Sequence, residues 1–139
     1  MAWWTYAFVS AVAASATAVL AKLGVAGVPS NLATALRTAV VLVFAWGIVF
    51  ATREHQLLRE IRGKSVLFLV LSGIGTGVSW LAYFKALQLA PASRVAPLDK
   101  LSLAFTIVLA ALVLGESISW KLALGVALMV GGALLTLVA

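Results

Sequence analysis

The run from Ser65 to Ala90, SVLFLVLSGIGTGVSWLAYFKALQLA, carries one charge, Lys85, and is stopped by Pro91. A stretch this long and apolar exceeds a core strand and suffices for an α-helix to cross the roughly 30 Å hydrocarbon layer of a bilayer. The same pattern recurs on both sides of it. Downstream, a fourth helix is expected over 93–114, with Pro97 in its first turns and Gly115–Glu116 at its end, and a fifth over 118–138. Upstream, a second helix is expected over 31–51, N-capped by Ser30 or Asn31 and carrying Arg37. A first helix over 2–21 stops at Lys22, ahead of Gly24, Gly27 and Pro29. A cleaved signal peptide is the rival reading of that first run, since Ala14, Ser15 and Ala16 fit a small-residue cleavage pattern. No Lys or Arg precedes it to form a charged n-region, which weighs against cleavage.

The chain has 139 residues, 64% of them hydrophobic and 10% charged, with a mean hydropathy of +1.16. Soluble domains use about 45–50% apolar residues, so a water-soluble globular protein is excluded. Five spans with short connections leave no space in these residues for a second folded domain. The expected fold is therefore an all-α integral membrane protein, a bundle of five transmembrane helices forming one domain over 1–139. The absence of cysteine excludes disulfides, thiolate metal sites and cysteine nucleophiles. A single histidine, His55, cannot form a histidine metal cluster. No Ser/Lys, Ser/His or paired-Asp constellation is visible, so no enzyme activity, catalytic residue, metal or cofactor is expected. The net charge of +6 and the pI near 10.4 would suit nucleic acid, but the basic residues are scattered between and within apolar runs. The expected partners are the lipid bilayer and a small-molecule solute, with no nucleic acid.

Orientation follows from loop cations. Arg53, Arg59, Arg62 and Lys64 in the second loop and Lys121 after the fourth helix outnumber Lys22 and Arg94 on the other side, favouring a cytoplasmic N-terminus. Counting Arg37, Lys85 and Lys100 with the second side removes the bias, which leaves dual topology open. Trp3, Trp4, Trp46, Phe50, Phe68 and Trp120 fall near the cytoplasmic ends as an aromatic belt. His55, beside Arg53 and Glu54, reads as solvated.

A charge inside an apolar span costs about 2.5–3.5 kcal/mol on insertion scales, so it marks a pathway, a ligand site or an internal pair. Lys85 lies six residues before Pro91 and Asp99 eight after it, at comparable depth on neighbouring helices, where an ion pair is geometrically plausible. Lys22, Arg37, Lys85, Arg94 and Lys100 are expected around the one acid Asp99, an excess of four positive charges. That is an electropositive vestibule suited to an anionic or carboxylate-bearing solute; snorkelling of the long side chains plus a structural pair is the competing account. For Asp99, structural pairing is preferred over proton carriage because cations surround it. Ser72, Thr76, Ser79 and Tyr83 recur at steps of four, three and four, a polar stripe that either lines a cavity or bonds back to its own helix. Trp80, Tyr83 and Phe84 sit nearest the charged end and either stack on a solute or anchor the interface. The substrate or translocation residues are thus expected to be Asp99, Lys85, Lys100, Arg37, Tyr83, Trp80, Ser79 and Thr76. Gly73 and Gly77 form a GxxxG pair for close helix contact, while Gly125, Ala127, Gly131 and Gly132 on helix five are expected to pack an oligomer.

The segment Leu81–Pro97, LAYFKALQLAPASRVAP, followed by LVLGE at Leu112–Glu116, resembles the EamA domain of the drug/metabolite transporter superfamily. The resemblance is carried by Tyr83, Ala86, Leu87, Pro91, Ala92, Ser93, Pro97, Gly115 and Glu116, and by the Gly-rich last helix. It implies half of a ten-helix drug/metabolite transporter architecture, in the short five-helix branch expected to work as a dimer. Two departures stand out. Asp99–Lys100 places adjacent charges where many two-domain members are apolar or small, and helix one lacks the acid known from the related small multidrug exporters. The expected function is a secondary transporter protomer in a bacterial or archaeal inner (cytoplasmic) membrane. It would move a small polar metabolite, anionic or carboxylate-bearing, by alternating access as a homodimer, with an antiparallel inverted repeat as one arrangement. The alternative is a non-transporting membrane accessory protein packed beside a partner.

Overall fold

The computed structural model describes residues 2–138, which form helices and no strand. The elements are α1 (Trp3–Gly24), α2 (Ser30–Ala51), a 3-10 helix (Glu54–Glu60), α3 (Gly63–Leu89), α4 (Ala92–Asp99), α5 (Ser102–Leu109) continued by a π-turn (Ala110–Leu114), and α6 (Trp120–Val138). Five segments are long and apolar enough to cross a membrane: α1, α2, α3, the composite segment Ala92–Leu114, and α6. The chain is an all-α membrane protein.

Several boundaries differ from the sequence expectation for local reasons. α1 runs past Lys22 to Gly24, since a lysine in the last turn suits the helix dipole. Gly27 then turns the chain at φ 74°, a left-handed conformation that a Cβ would strain. Pro29 occupies the N-cap of α2 with no side-chain cap bond, and Ser30 is the first helical residue. The second loop is not wholly irregular, because Arg53 at φ 61° leads into the 3-10 helix.

The fourth span is interrupted rather than continuous. Pro97 lacks an N–H and so cannot bond the carbonyl four residues back. Beyond it the N–H groups of Lys100 and Leu101 reach only three residues back, to Pro97 and Leu98 at 3.1 and 3.0 Å. Leu103 and Ala104 do the same with Lys100 and Leu101, both at 3.0 Å. The interruption therefore falls a few residues beyond the proline, as a tight 3-10 crossing between α4 and α5. At the far end the π-turn closes on Gly115, whose φ of 69° is left-handed. The Ala110 carbonyl accepts the N–H of Gly115 and, at 3.3 Å, that of Glu116, so the Gly–Glu pair is a C-cap.

Two compact units are distinguished: Ala21–Gln88, and the N-terminal stretch to Leu20 together with the chain from Leu89 onward. In the first, Val25, Ser30, Thr34, Phe84 and Leu87 are buried. In the second, Val95 and Ala133 are buried, and α6 packs on α4 and α5. The less exposed stripe of α6 is Val126, Val130, Ala133 and Thr136, at steps of four, three and three, one helical face. Most other apolar side chains are exposed, which carries no penalty where the solvent is lipid tails as apolar as leucine.

Leu87→Ala is expected to cost about 2 kcal/mol, the low end for a buried leucine, because lipid removes much of the transfer contribution and leaves the cavity. Leu89→Ala, at a side chain 77% exposed, should be nearly neutral. Thermal unfolding in detergent compares them, and equal effects would contradict the packing described. Gly115→Ala should cost about 1 kcal/mol through its backbone conformation alone, since a Cβ there meets nothing within 4 Å.

Candidate functional site

The side chain that organises the Ala21–Gln88 unit is Arg37. It sits seven residues into α2, about 10 Å along the helix from Ser30 at 1.5 Å per residue. Its guanidinium carbon lies 3.8 Å from the centroid of the Trp80 ring and 5.7 Å from that of Phe84. Residues 80 and 84 are spaced i and i+4, so one face of α3 presents two aromatic rings to the cation, with Tyr83 on the same face. Such a contact contributes about 0.5–2 kcal/mol and offsets part of the cost of a charge at this depth. Phe84 is 3% exposed and forms a fixed wall, whereas Arg37, Trp80 and Tyr83 are half-buried. Within its own unit Arg37 has no carboxylate at ion-pairing distance. The structure shows the guanidinium seated on aromatic rings, an arrangement that belongs to neither a vestibule nor a snorkelling account alone.

Two further ties hold the same unit together. Lys22 donates to the carbonyl of Leu87, one of the orphan acceptors at the C-terminal end of α3. Gln88 Nε2 donates to the Val28 carbonyl in the α1–α2 turn at 2.6 Å. Lys22, Leu87 and Gln88 line an open cavity of about 350 Å³ with Val25, Ala26 and Gly27. Lys22 thus bonds backbone at a helix end, a use that the charge pattern alone does not reveal.

The remaining expected residues fall as follows. Lys85, Ser79 and Thr76 lie on α3 in the first unit and are exposed. The Thr76 hydroxyl donates to the Ser72 carbonyl at 2.9 Å, the back-bonding alternative for the polar stripe. Asp99 ends α4 in the second unit and pairs with the adjacent Lys100, Oδ2 to Nζ 3.4 Å, with both side chains more than a third exposed. A pair so exposed is worth little to stability. Gly125, Ala127, Gly131 and Gly132 are exposed on α6, and the last three line an open groove with Leu128, Leu134 and Leu135. Gly73 and Gly77 make no close helix approach within their own unit, where a Cβ at either meets nothing within 4 Å. His55 is not simply solvated: its ring packs on Phe50 at 5.2 Å and its Nδ1 is buried with no hydrogen-bond partner among the described residues.

Sequence reasoning missed Ser30 and Thr34, buried on the α2 face that also bears Arg37. The signal was present in the spacing Ser30, Thr34, Arg37, Thr38, a helical stripe as regular as the one on α3. Thr34 bonds back to Ser30 and Thr38 to Thr34, each at 2.8 Å, so the polar face of α2 is internally satisfied up to the guanidinium.

The EamA-like transporter family matches residues 1–138. The chain belongs to that family. It is 50% identical over 133 residues to a Sinorhizobium protein named as an uncharacterized transporter in the cobO 3′ region, covering 96% of this chain and 94% of that protein. No solved structure matches. Family and relative together support a membrane transporter.

Lys22→Met is expected to lower stability by about 1.5 kcal/mol, as for a lost hydrogen bond to a charged group, and Gln88→Leu by about 1 kcal/mol. Thermal midpoints of purified variants check both. An unchanged midpoint for Lys22→Met would show that the Leu87 carbonyl does not depend on it.

Proposed function

We propose that the chain is one protomer of a secondary transporter for a small polar metabolite that is anionic or carboxylate-bearing. The observation that carries this reading is Arg37, a cation inside an apolar span, seated on Trp80 and Phe84 with no carboxylate within ion-pairing distance in its own unit. An intramembrane charge is retained against its insertion cost where it serves a pathway or a ligand. The aromatic rings hold the cation without neutralising it, so its field remains available to an anion. In the same unit Lys85 adds a second cation on α3, and Ser79 and Thr76 add hydroxyls along it; Lys100 and its neighbour Asp99 are assigned to translocation as the charges of the fourth span.

Five helices supply half of a common transporter architecture, so the working unit is a homodimer in the cytoplasmic membrane. Two copies in opposite orientation form an inverted repeat with the solute path at their interface and alternating access by rocking of the two bundles. The open face of Gly125, Ala127, Gly131 and Gly132 suits close packing of that second copy.

Arg37→Leu should reduce uptake of the transported anion into reconstituted vesicles at least tenfold, and Lys85→Leu or Asp99→Asn should also impair it. Full flux in a folded Arg37→Leu variant would refute the site. The orientation is tested by Glu116→Cys in this cysteine-free chain. Partial protection from an impermeant maleimide in intact cells, lost when membranes are opened, is expected for an antiparallel pair, and complete one-sided labelling excludes it.

A further inference from the structure

The face of the Arg37 guanidinium is already occupied, and that restricts how a solute can meet it. A guanidinium carbon 3.8 Å from a ring centroid is at a stacked separation. A perpendicular approach would interpose an N–H and hold the carbon farther away. Stacking uses the face of the ion and leaves its rim of in-plane N–H donors free. Two parallel donors on that rim match the two oxygens of a carboxylate, a geometry that an ammonium cannot reproduce. We infer that Arg37 is a carboxylate-binding fork, presented edge-on, and that Trp80 is its positioning residue rather than a surface on which the solute stacks.

This rests on the transporter reading and narrows its solute to one with a carboxylate group. Trp80 fixes the plane of the fork, while Phe84, almost wholly buried, closes the side toward α3. Tyr83 lies on the same helical face of α3. The aromatic set thus resembles a cage for a cation in which the cation is the protein's own. What it leaves to the solute is the complementary anion: the fork favours two oxygens side by side over a spherical ion such as chloride, and a phosphate, which can also bridge the fork, is the competing occupant that the test separates from a carboxylate.

The test uses the full chain in lipid nanodiscs. Phenylglyoxal modification of Arg37 is followed by peptide mass spectrometry in the presence of acetate, lactate, succinate or benzoate. Each is compared with its amide, with chloride and with inorganic phosphate, and vesicle uptake of the same four carboxylates is measured alongside. At least one carboxylate should slow modification of Arg37 about tenfold, the change expected for losing a charge-assisted bond. Its amide and chloride should not, and Arg53, Arg59 and Arg62 in the second loop should react unchanged. Trp80→Leu should abolish this protection and Trp80→Phe should restore most of it, which a purely structural role for the indole would not produce in two variants of equal thermal stability. Arg37→Lys should keep the charge and lose carboxylate uptake. Protection that persists in Trp80→Leu, or that chloride or phosphate provides equally, overturns the inference. Uptake without protection overturns it while leaving the transporter reading in place; absence of both uptake and protection removes both.

Discussion

A peptide group in hydrocarbon has only another polar group of the protein to bond, and each one left unsatisfied costs several kcal/mol. The rest of this structure follows from that constraint. It makes every span helical, and it reaches the side chains too: each threonine donates its hydroxyl to a carbonyl three or four residues earlier. Where the ladder is interrupted, the chain finds substitutes. The crossing between α4 and α5 tightens to 3-10 bonds, the end of α3 is met by Lys22, and the turn before α2 is met by Gln88. Side-chain packing is secondary by comparison, as the few buried residues attest.

The same scarcity of partners makes charge placement informative. In water a surface arginine is solvated and says little; within a span it must be held by something. Here it is held by rings, which stabilise the ion through their quadrupoles and carry no net charge of their own. A carboxylate partner would have satisfied Arg37 more fully and would have cancelled its field. The aromatic solution keeps the charge usable, consistent with membership of a transporter family. Lys22 and Asp99 show the contrast, one bonded to a backbone carbonyl and the other to its own sequence neighbour.

The five spans were legible from apolar run length, and their ends largely from Pro91 and the Gly115–Glu116 pair, because these signals are local. The position of the break in the fourth span was not, since Pro97 removes one donor but the chain redistributes the deficit over the following residues. The partner of Arg37 was hidden for a different reason. Trp80, Tyr83 and Phe84 read equally well as interface anchors, and periodicity in a helix apolar all round does not say which face meets α2. Small-residue spacing is ambiguous in a similar way: GxxxG records what a helix could accommodate and does not name the helix it meets. On α6 the face turned to α4 and α5 is the valine-bearing one, Val126 and Val130 leading to Ala133, which leaves the glycine-bearing face exposed.

The ties in the Ala21–Gln88 unit also have a mechanical meaning. The end of α3 is joined to the last turn of α1 by Lys22 and to the α1–α2 turn by Gln88, and farther along α3 is joined to α2 by the stacked Arg37. Two of these attachments meet α3 at the adjacent residues Leu87 and Gln88, and the third meets it about two turns earlier at Trp80. α2 and α3 share few close backbone approaches, so the stacked guanidinium is the point through which a tilt of one helix reaches the other.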